Sequence, residues 1–406
     1  MAELLCPAGN FDKLKAAVLY GADAVYLAGS RFGMRAAADN FSIDEIYEAV
    51  RLAHAGNVKI YITINTMPHT AEYPALREYL DSLRGSGIDA VIAADLGVIS
   101  AVKEILPETE IHVSTQASIV SAAAAEAYLR MGCRRVVLAR ELSLSDIRAL
   151  RKEASRELEF ECFVHGSMCI AWSGRCLLSS YLTGRDGNRG ACAQPCRWSY
   201  KAAYVEEANR PGIYLPVEQD ESGSFVMASK DLCMIEHIPE LYEAGIDSFK
   251  IEGRMKSVCY TAVTANVYRM AMNEYEKSPS GWRFNPEWLR ELGSVSHREF
   301  STGFFYDNPS ENAQTVTDLG YIKDKAYAGI VEKYDGDTGR AVIMQMNKIS
   351  EGDTVEIMSP GRLGRPFKAE NMRNEKDEPI TSAPHPQMRY SLSVPFEVHE
   401  GDILRA

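Results

Sequence analysis

The chain has 406 residues, the length of one large domain joined to a small one, and 46% of them are hydrophobic, which supports a sizeable core. Its formal net charge of −12 at pH 7 disfavours non-specific nucleic-acid binding over the whole surface but leaves room for a local basic patch. A signal peptide and a membrane-spanning apolar run are both missing, and the nine cysteines are an odd number. We therefore expect a cytoplasmic protein whose thiols bind metal rather than pair.

The first 255 residues alternate short apolar runs with amphipathic segments. We predict strands at Leu4–Pro7, Ala24–Leu27, Lys59–Asn65, Ala90–Ala93, Glu110–Ser114, Arg135–Ala139, Glu159–Val164 and Asp247–Ile251. We predict helices at Phe11–Tyr20, Ile43–His54, Tyr73–Leu83, Leu96–Ile105, Ala122–Met131, Leu144–Ala154, Ile235–Glu243 and Ser257–Tyr275. Eight units of strand then helix, often joined through a Gly, predict an α/β fold of the TIM-type (β/α)8 barrel over residues 1–320. A doubly wound open sheet is the alternative, but it would not need eight regular units.

The pattern changes near Gly320, after a last predicted helix at Pro286–Leu292. Short runs then alternate between Gly, Pro and Asp turns, with predicted strands at Tyr327–Val331, Gly339–Gln345, Asp353–Ile357, Gln387–Leu392 and Asp402–Leu404. This pattern predicts a small antiparallel β-barrel domain over residues 321–406. Within it, Asp337-Thr338-Gly339 resembles an aspartic-protease triplet, but its place between two strand-like runs favours a hairpin turn.

A cysteine-rich insertion, at about residues 159–235, follows the seventh predicted strand. Cys169, Cys176, Cys192 and Cys196 have the spacing C-x6-C-x15-C-x3-C, and Cys233 follows downstream. The spacing lacks the C-x2-C pairs that zinc sites favour, whereas iron–sulfur clusters accept wider spacing. We therefore prefer an iron–sulfur cluster, with zinc, buried structural thiols and disulfides as the alternatives.

A TIM-type barrel places its chemistry at the carboxyl ends of its strands, where this insertion also leaves the barrel. The candidate site residues at these ends are Asn65, Gln116, Arg140, His165, Lys250, Glu252, Arg254 and Lys256. Charged groups here favour catalysis or substrate binding. The structural alternatives are His165 as a strand cap, Asn65 and Gln116 as ties for loops, and the charged residues as ion pairs.

Basic and aromatic residues are interleaved in and beyond the insertion. They are Arg175, Arg185, Arg189, Arg197, Lys201, Trp172, Tyr181, Trp198 and Tyr200. Such a mixture can bind phosphates and stack an unpaired base, which predicts an RNA contact surface. The alternative is a solvated loop with ordinary charges.

Several motifs together resemble the collagenase-like peptidase family U32, over essentially the whole chain. They include Glu161-Cys-Phe-Val-His-Gly-Ser-Met-Cys169, Gly190-Ala-Cys-Ala-Gln-Pro-Cys-Arg197 and Lys250-Ile-Glu-Gly-Arg-Met-Lys-Ser257. The C-terminal domain is similar to the extra domain of the longer members. The family name implies a peptidase, although the sequence has neither H-E-x-x-H nor G-x-S-x-G.

The resemblance also implies an RNA hydroxylase with a [4Fe–4S] cluster. Its expected reaction is prephenate-dependent formation of 5-hydroxyuridine at the wobble position of tRNA, with hydroxylation of another RNA as the alternative. A partner subunit related to this chain is a further possibility. A zinc-stapled RNA-binding protein without enzymatic activity is a third interpretation.

The predicted site residues have three expected roles, of which the resemblance implies that of the cluster ligands. The cluster ligands are Cys169, Cys176, Cys192 and Cys196, with Cys233 as the alternative fourth. The catalytic candidates are Arg140, His165, Glu252 and Arg254, of which the two arginines suit a dicarboxylate. The substrate-binding candidates are Asn65, Gln116, Arg197, Trp198, Lys250 and Lys256.

Overall fold

The computed structural model describes residues 1–34, 39–169, 176–185, 190–197, 204–206, 214–216, 219–220, 223–224, 229–306 and 322–406. The chain divides into two compact units. The first comprises the described parts of Met1–Leu14, Asp23–Met255 and His297–Tyr321, and the second comprises those of Lys15–Ala22, Lys256–Ser296 and Ile322–Ala406. No helix among the described residues has the length and apolar character that crossing a membrane requires.

The predicted alternation of strands and helices is present. In chain order the strands before the C-terminal sheet are β1 Glu3–Pro7, β2 Ala24–Leu27, β3 Lys59–Thr63, β4 Ala90–Ala93, β5 Glu110–Val113, β6 Arg135–Val137, β7 Glu159–Ser167, β8 Tyr204–Glu206, β9 Tyr214–Pro216, β10 Gln219–Asp220, β11 Gly223–Ser224, β12 Asp231–Cys233, β13 Ser248–Ile251 and β14 Phe300–Ser301. The helices are α1 Phe11–Leu19, α2 Ile43–Ala55, α3 Tyr73–Ser82, α4 Leu96–Ile105, α5 Ala122–Arg130, α6 Leu144–Glu153, α7 Leu178–Thr183, α8 Ile238–Glu243, α9 Val258–Lys277 and α10 Pro286–Gly293.

The eight predicted strands form a closed parallel barrel. Their order is β13-β1-β2-β3-β4-β5-β6-β7, and a further pairing of β13 with β7 closes the ring. Each of these pairings is parallel, and β2, β4 and β13 are buried along their whole length. Burial on both faces explains why β2 and β4 read as continuous apolar runs. The barrel prediction is therefore confirmed, and the open-sheet alternative is wrong.

Local sequence signals explain where these helices begin and where the next strand follows. Ser42 and Glu45 form a capping box at the start of α2, and Asp95 accepts a hydrogen bond from the Val98 N–H at the start of α4. After α5 the chain turns through Gly132, whose φ is 85°. A side chain is strained at that φ, so glycine suits the turn into β6.

β7 is longer than the other barrel strands and continues beyond the barrel. Its residues up to His165 pair with β13, and His165, Gly166 and Ser167 pair antiparallel with β12. β12 in turn pairs with β14. β12 and β14 were not predicted, because each has only two or three residues.

The C-terminal strands of the second unit form an antiparallel sheet. They are β15 Tyr327–Asp335, β16 Arg340–Gln345, β17 Ile349–Ser350, β18 Thr354–Met358, β19 Arg365–Lys368, β20 Glu370–Asn374, β21 Ser382–Ala383, β22 Arg389–Ser393 and β23 Ile403–Arg405. Seven of them follow the order β19-β18-β23-β15-β16-β22-β20, around a core that includes Val331, Ile343 and Leu404. This confirms the predicted antiparallel character.

The triplet at residues 337–339 lies in the hairpin between β15 and β16, as predicted. The Asp335 carboxylate accepts hydrogen bonds from the Asp337 N–H and from the Thr338 hydroxyl. These bonds lower the pKa of Asp335. The triplet is therefore a turn built on Asp335 and not a protease element.

The second compact unit includes more than the predicted C-terminal domain, because α9, α10 and residues 15–22 belong to it. Buried Arg405 donates to Glu291 at 2.6 Å and to the Ser294 hydroxyl at 2.8 Å, both at the end of α10. Asn266 of α9 donates to the carbonyl oxygen of Arg362 at 2.8 Å. These buried polar contacts join the two helices to the C-terminal sheet, which the chain division predicted at residue 320 did not anticipate.

Candidate active site

A cavity of about 140 Å³ lies at the carboxyl ends of the barrel strands. Its lining brings together many of the predicted site residues: Asn65, Gln116, Arg140, Cys169, Lys250, Glu252 and Arg254. They come from different strand ends that lie far apart in sequence. The closed barrel therefore assembles the polar groups that the sequence suggested, at the position expected for this fold.

Arg140 follows β6 and extends over an aromatic ring. Its guanidinium carbon is 4.0 Å from the centre of the Phe163 ring, and its Nη1 donates to the carbonyl oxygen of Ser167 at 3.3 Å. Its Nε is buried and has no hydrogen-bond partner among the described residues. A buried donor without a partner is costly. Arg140 is thus positioned to donate to an acceptor on a bound ligand.

Arg254, after β13, is held by side chains from other strand ends. It is 3% exposed, and its guanidinium donates to Thr63 Oγ1 at 3.2 Å and to Asn40 Oδ1 at 2.7 Å. Its carbonyl oxygen accepts from Lys13 Nζ at 3.2 Å. A Cβ on Gly9 would lie 2.4 Å from that oxygen, so only glycine permits the approach. These contacts fix the guanidinium at the cavity wall.

Lys250 is a buried cation held between aromatic rings and a carboxylate. Its Nζ lies 2.6 Å from Glu161 Oε1 and 4.6 Å from the centre of the Tyr26 ring. Burial lowers the pKa of Lys250, and Glu161 opposes this shift. The ion pair and the ring favour the ammonium form. Lys250 therefore acts as a fixed positive group at the cavity floor.

An ionic network continues from Glu161 into the barrel interior. Arg135 donates to Glu161 at 3.3 Å, to Glu159 at 2.7 Å and to Glu3 at 2.5 Å, and the Tyr61 hydroxyl donates to Glu3 at 2.6 Å. Burial alone would raise the pKa of Glu3, but the Arg135 guanidinium brings it below its ordinary value. Sequence reasoning missed this network. The one available signal was a set of charged residues inside predicted strands.

The two amides have different surroundings. Asn65 Oδ1 accepts a hydrogen bond from the Met34 N–H at 3.2 Å, so it ties a loop while also lining the cavity. Gln116 is buried, its Oε1 accepts from the Ser114 hydroxyl at 3.3 Å, and its Nε2 has no partner among the described residues. Gln116 thus offers a second donor to a ligand, beside that of Arg140.

Four of the predicted catalytic and substrate-binding residues are not part of this cavity's described lining. His165 is 1% exposed, and its ring centre lies 5.6 Å from that of Phe300. Lys256 belongs to the second unit, where its Nζ donates to the Ser296 carbonyl oxygen at 2.9 Å. The side chain of Arg197 and the whole of Trp198 lie outside the described residues. The structure thus gives no support to direct contact of His165 or Lys256 with a ligand in this cavity.

The proposed RNA-contacting residues are described only in part. Arg185 is exposed. The side chain of Tyr181 lies outside the described residues. The same is true of the whole of Trp172, Arg175, Arg189, Tyr200 and Lys201.

The five cysteines of the predicted metal site form no disulfide among the described residues. Cys169 lines the cavity and is exposed, as is Cys192, whereas Cys176 and Cys196 are partly exposed and Cys233 is buried in β12. Within the part of the chain that the structure describes, no three His, Cys, Asp or Glu side chains lie close enough together to hold a metal ion. The thiols have the chemistry that an iron–sulfur cluster requires, with Cys169 at the cavity.

The remaining four cysteines are core thiols. Cys6, Cys133, Cys162 and Cys259 are all buried. Burial raises the pKa of the Cys133 thiol to about 11 and raises that of Cys162 further. A thiol that resists ionisation is a poor metal ligand.

Comparison with known proteins identifies the family. Residues 9–315 match peptidase family U32, and residues 323–405 match the C-terminal domain of that family. The chain belongs to peptidase family U32. This confirms the resemblance that the motifs around the cysteines indicated.

Relatives within this family carry different names. The chain is 38% identical over 403 residues to the tRNA hydroxylation protein P1 of Bacillus subtilis, covering 99% of this chain and 94% of the relative. It is 36% identical over 271 residues to the 23S rRNA 5-hydroxycytidine C2501 synthase of Escherichia coli, covering 67% and 39%. It is 30% identical over 413 residues to a collagenase of Porphyromonas gingivalis, covering 99% and 97%.

Proposed function

We propose that this U32 protein is an RNA hydroxylase that converts the wobble uridine of tRNA to 5-hydroxyuridine, with prephenate as cosubstrate and a [4Fe–4S] cluster as cofactor. The observation that carries the proposal is a cavity lined by Arg140, Lys250, Arg254 and the free thiol of Cys169. Of the two relatives described above that match nearly the whole chain, the one with 38% identity is named for tRNA hydroxylation, and the one with 30% identity is named a collagenase. The rRNA relative matches a smaller share of this chain, which makes tRNA the preferred substrate.

The charges of the cavity suit a small dicarboxylate. Three cations and the carboxylate of Glu252 line it, although the Glu161 carboxylate already neutralises Lys250. The guanidinium groups of Arg140 and Arg254 suit two carboxylates, since each can donate two parallel hydrogen bonds. Because both are held by neighbouring groups, little side-chain freedom is lost on binding.

Other lining residues orient the ligand and exclude water. The free Nε2–H of Gln116 can donate to a carbonyl or hydroxyl oxygen. Phe163 and Tyr26 supply apolar walls, which strengthen the charged contacts by lowering the local dielectric. Glu252 supplies a carboxylate that can accept a proton from a bound ligand.

The cofactor's expected ligands are Cys169, Cys176 and Cys192, with Cys196 preferred over Cys233 as the fourth. A thiolate-ligated cluster there would supply single electrons beside the cavity. His165 remains a catalytic prediction. It could act only through its neighbours, since its buried ring contacts Phe300.

A peptidase is the second candidate, because a full-length relative is named a collagenase. It predicts a colourless protein that cleaves gelatin without iron. The hydroxylase predicts a brown protein after anaerobic purification, with iron and sulfide but no stoichiometric zinc. A zinc-stapled RNA-binding protein would contain zinc alone.

Mass spectrometry of nucleosides tests the function directly. A deletion strain should lose 5-hydroxyuridine from tRNA, keep its rRNA nucleosides, and recover on expression of the chain. Unchanged 5-hydroxyuridine in a strain that has no second copy of this family would exclude the tRNA activity. A loss confined to rRNA would move the activity to another RNA.

Substitution of Arg140 tests dicarboxylate binding. Arg140→Ala should raise the prephenate concentration for half-maximal 5-hydroxyuridine formation by roughly 10- to 100-fold, since charge-assisted hydrogen bonds contribute about 1.5–3 kcal/mol. Arg140→Lys keeps the charge but loses the planar fork, so it should restore only part of the affinity. Arg77→Ala, at an exposed ion pair with Glu104, is the matched control. An unchanged prephenate dependence in Arg140→Ala would contradict the assignment.

A further inference from the structure

A second cavity lies beside the first, in the loops that follow β2 and β3. Its volume is about 350 Å³, within the range of about 300–1,000 Å³ for small-molecule sites. The lining residues on which the inference depends are Ser30, Arg31, Phe32, Thr66, Met67 and Pro68. The function proposed above makes no use of these residues.

The two cavities share a wall. Arg254 lines the first cavity and donates from Nη2 to Asn40 Oδ1, and Asn40 lines the second. Asn65 lines the first, and the next residue, Thr66, lines the second. A ligand group in the second cavity would therefore be directly next to a group in the first.

One face of the second cavity offers a cation and an aromatic ring. Arg31 is exposed and makes no hydrogen bond or ion pair with another described residue. The half-buried Phe32 ring lies 5.9 Å from that of Tyr79. The φ of Phe32 is 60°, and its carbonyl oxygen accepts from the Thr66 N–H at 3.2 Å. A non-glycine residue held in this conformation is costly, and such residues concentrate at binding sites.

The chemistry of this lining fits a nucleotide better than a second small dianion. A free guanidinium can bind one phosphate, and a ring with apolar neighbours such as Met67 and Pro68 can stack one base. A dicarboxylate would need two cations, whereas the described lining offers one, Arg31. Ser30 adds a hydroxyl that can bond to a ribose or a base edge.

We propose that this second cavity binds the nucleotide adjacent to the modified uridine, with Phe32 stacking its base and Arg31 contacting its phosphate. The inference rests on the proposed function, because it requires the modified uridine to react at the mouth of the first cavity, next to the bound dicarboxylate. It makes RNA recognition a property of the barrel loops after β2 and β3, in addition to the basic segment near the cysteines.

The test measures binding of a fluorescent tRNA anticodon stem-loop to the anaerobically purified full chain over a series of salt concentrations. Arg31→Ala should weaken binding and reduce the slope of log K against log salt by about 0.7, the contribution of one single-strand phosphate contact. Phe32→Leu should weaken binding by roughly 5- to 100-fold and leave the salt slope unchanged, whereas Phe32→Trp should bind like the wild type. Arg51→Ala, an exposed arginine on α2, is the control.

The outcomes separate this inference from the proposed function. Wild-type affinity and salt slope in both Arg31→Ala and Phe32→Leu would overturn the inference, while 5-hydroxyuridine formation by the same proteins would still support the function. If the wild type neither binds the stem-loop nor forms 5-hydroxyuridine, both fail. Thermal unfolding of each variant shows whether it is folded. If Phe32→Leu does not fold, the binding result for the surface variant Arg31→Ala alone decides whether the inference stands.

Discussion

Serine in place of Cys169, Cys176 or Cys192 is expected to give a protein that is nearly colourless, low in iron and unable to form 5-hydroxyuridine. A cluster held by four thiolates loses a ligand that a serine hydroxyl replaces poorly, because a hydroxyl remains protonated at neutral pH. The measurements are iron and sulfide content, visible absorbance after anaerobic purification, and nucleoside analysis of tRNA from a complemented deletion strain. Full iron content and full modification in all three variants would contradict the cluster assignment.

The fourth ligand is decided by comparing Cys196→Ser with Cys233→Ser. Cys196 is partly exposed and Cys233 is buried in β12, so the second substitution also disturbs packing. Cys133→Ser, at another buried thiol, measures that packing effect without touching the proposed site. We expect Cys196→Ser to lose iron. Retention of iron there, with iron loss in Cys233→Ser beyond that of Cys133→Ser, would assign the fourth ligand to Cys233.

The largest loss of stability is expected from Glu161→Gln. Glu161 is fully buried and lies 2.6 Å from Lys250 Nζ and 3.3 Å from Arg135 Nη1. Removing one charge from a buried network leaves the opposite charges uncompensated, at a cost of about 3–5 kcal/mol. Urea unfolding of the barrel, followed by circular dichroism, should show the transition at a lower urea concentration.

A double variant shows whether the loss comes from an uncompensated charge. Glu161→Gln with Lys250→Met removes both members of the pair and should recover part of the stability, while activity stays low because the cavity has lost one of its three cations. Glu104→Gln, at the exposed ion pair with Arg77, should unfold like the wild type. A single variant Glu161→Gln as stable as the wild type would show that the network does not stabilise the barrel.

The barrel could be predicted from the sequence because its signals are local. Short apolar runs alternate with amphipathic segments, and helix caps such as Ser42 and turns such as that at Gly132 mark several of their boundaries. Strand closure then follows from the fold. The sequence also predicted that several polar side chains meet in one cavity, because each lies just beyond the carboxyl end of a strand. These residues are Asn65, Gln116, Arg140 and Arg254.

The contacts of each side chain could not be predicted, because they depend on partners that are far away in sequence. Lys250 was expected to bind substrate, but its ammonium group is paired with Glu161, 89 positions earlier. His165 was also predicted to line the cavity because it lies where the barrel part of β7 ends. In the structure β7 continues past this point, and the His165 ring lies against Phe300. In the sequence, Arg135 is a single charged residue in an otherwise apolar strand. The folded barrel places Glu3 and Glu159 beside its guanidinium group.

The antiparallel pairing of Ser167 with Asp231 has a consequence for the stability of the barrel. This pairing brings the two ends of the cysteine-bearing segment between Ser167 and Asp231 side by side. The segment is therefore attached to the barrel in the same way as a hairpin connection. The entropic cost of closing such a connection rises only slowly with its length. A change in the length of this segment is therefore expected to cost the barrel little stability.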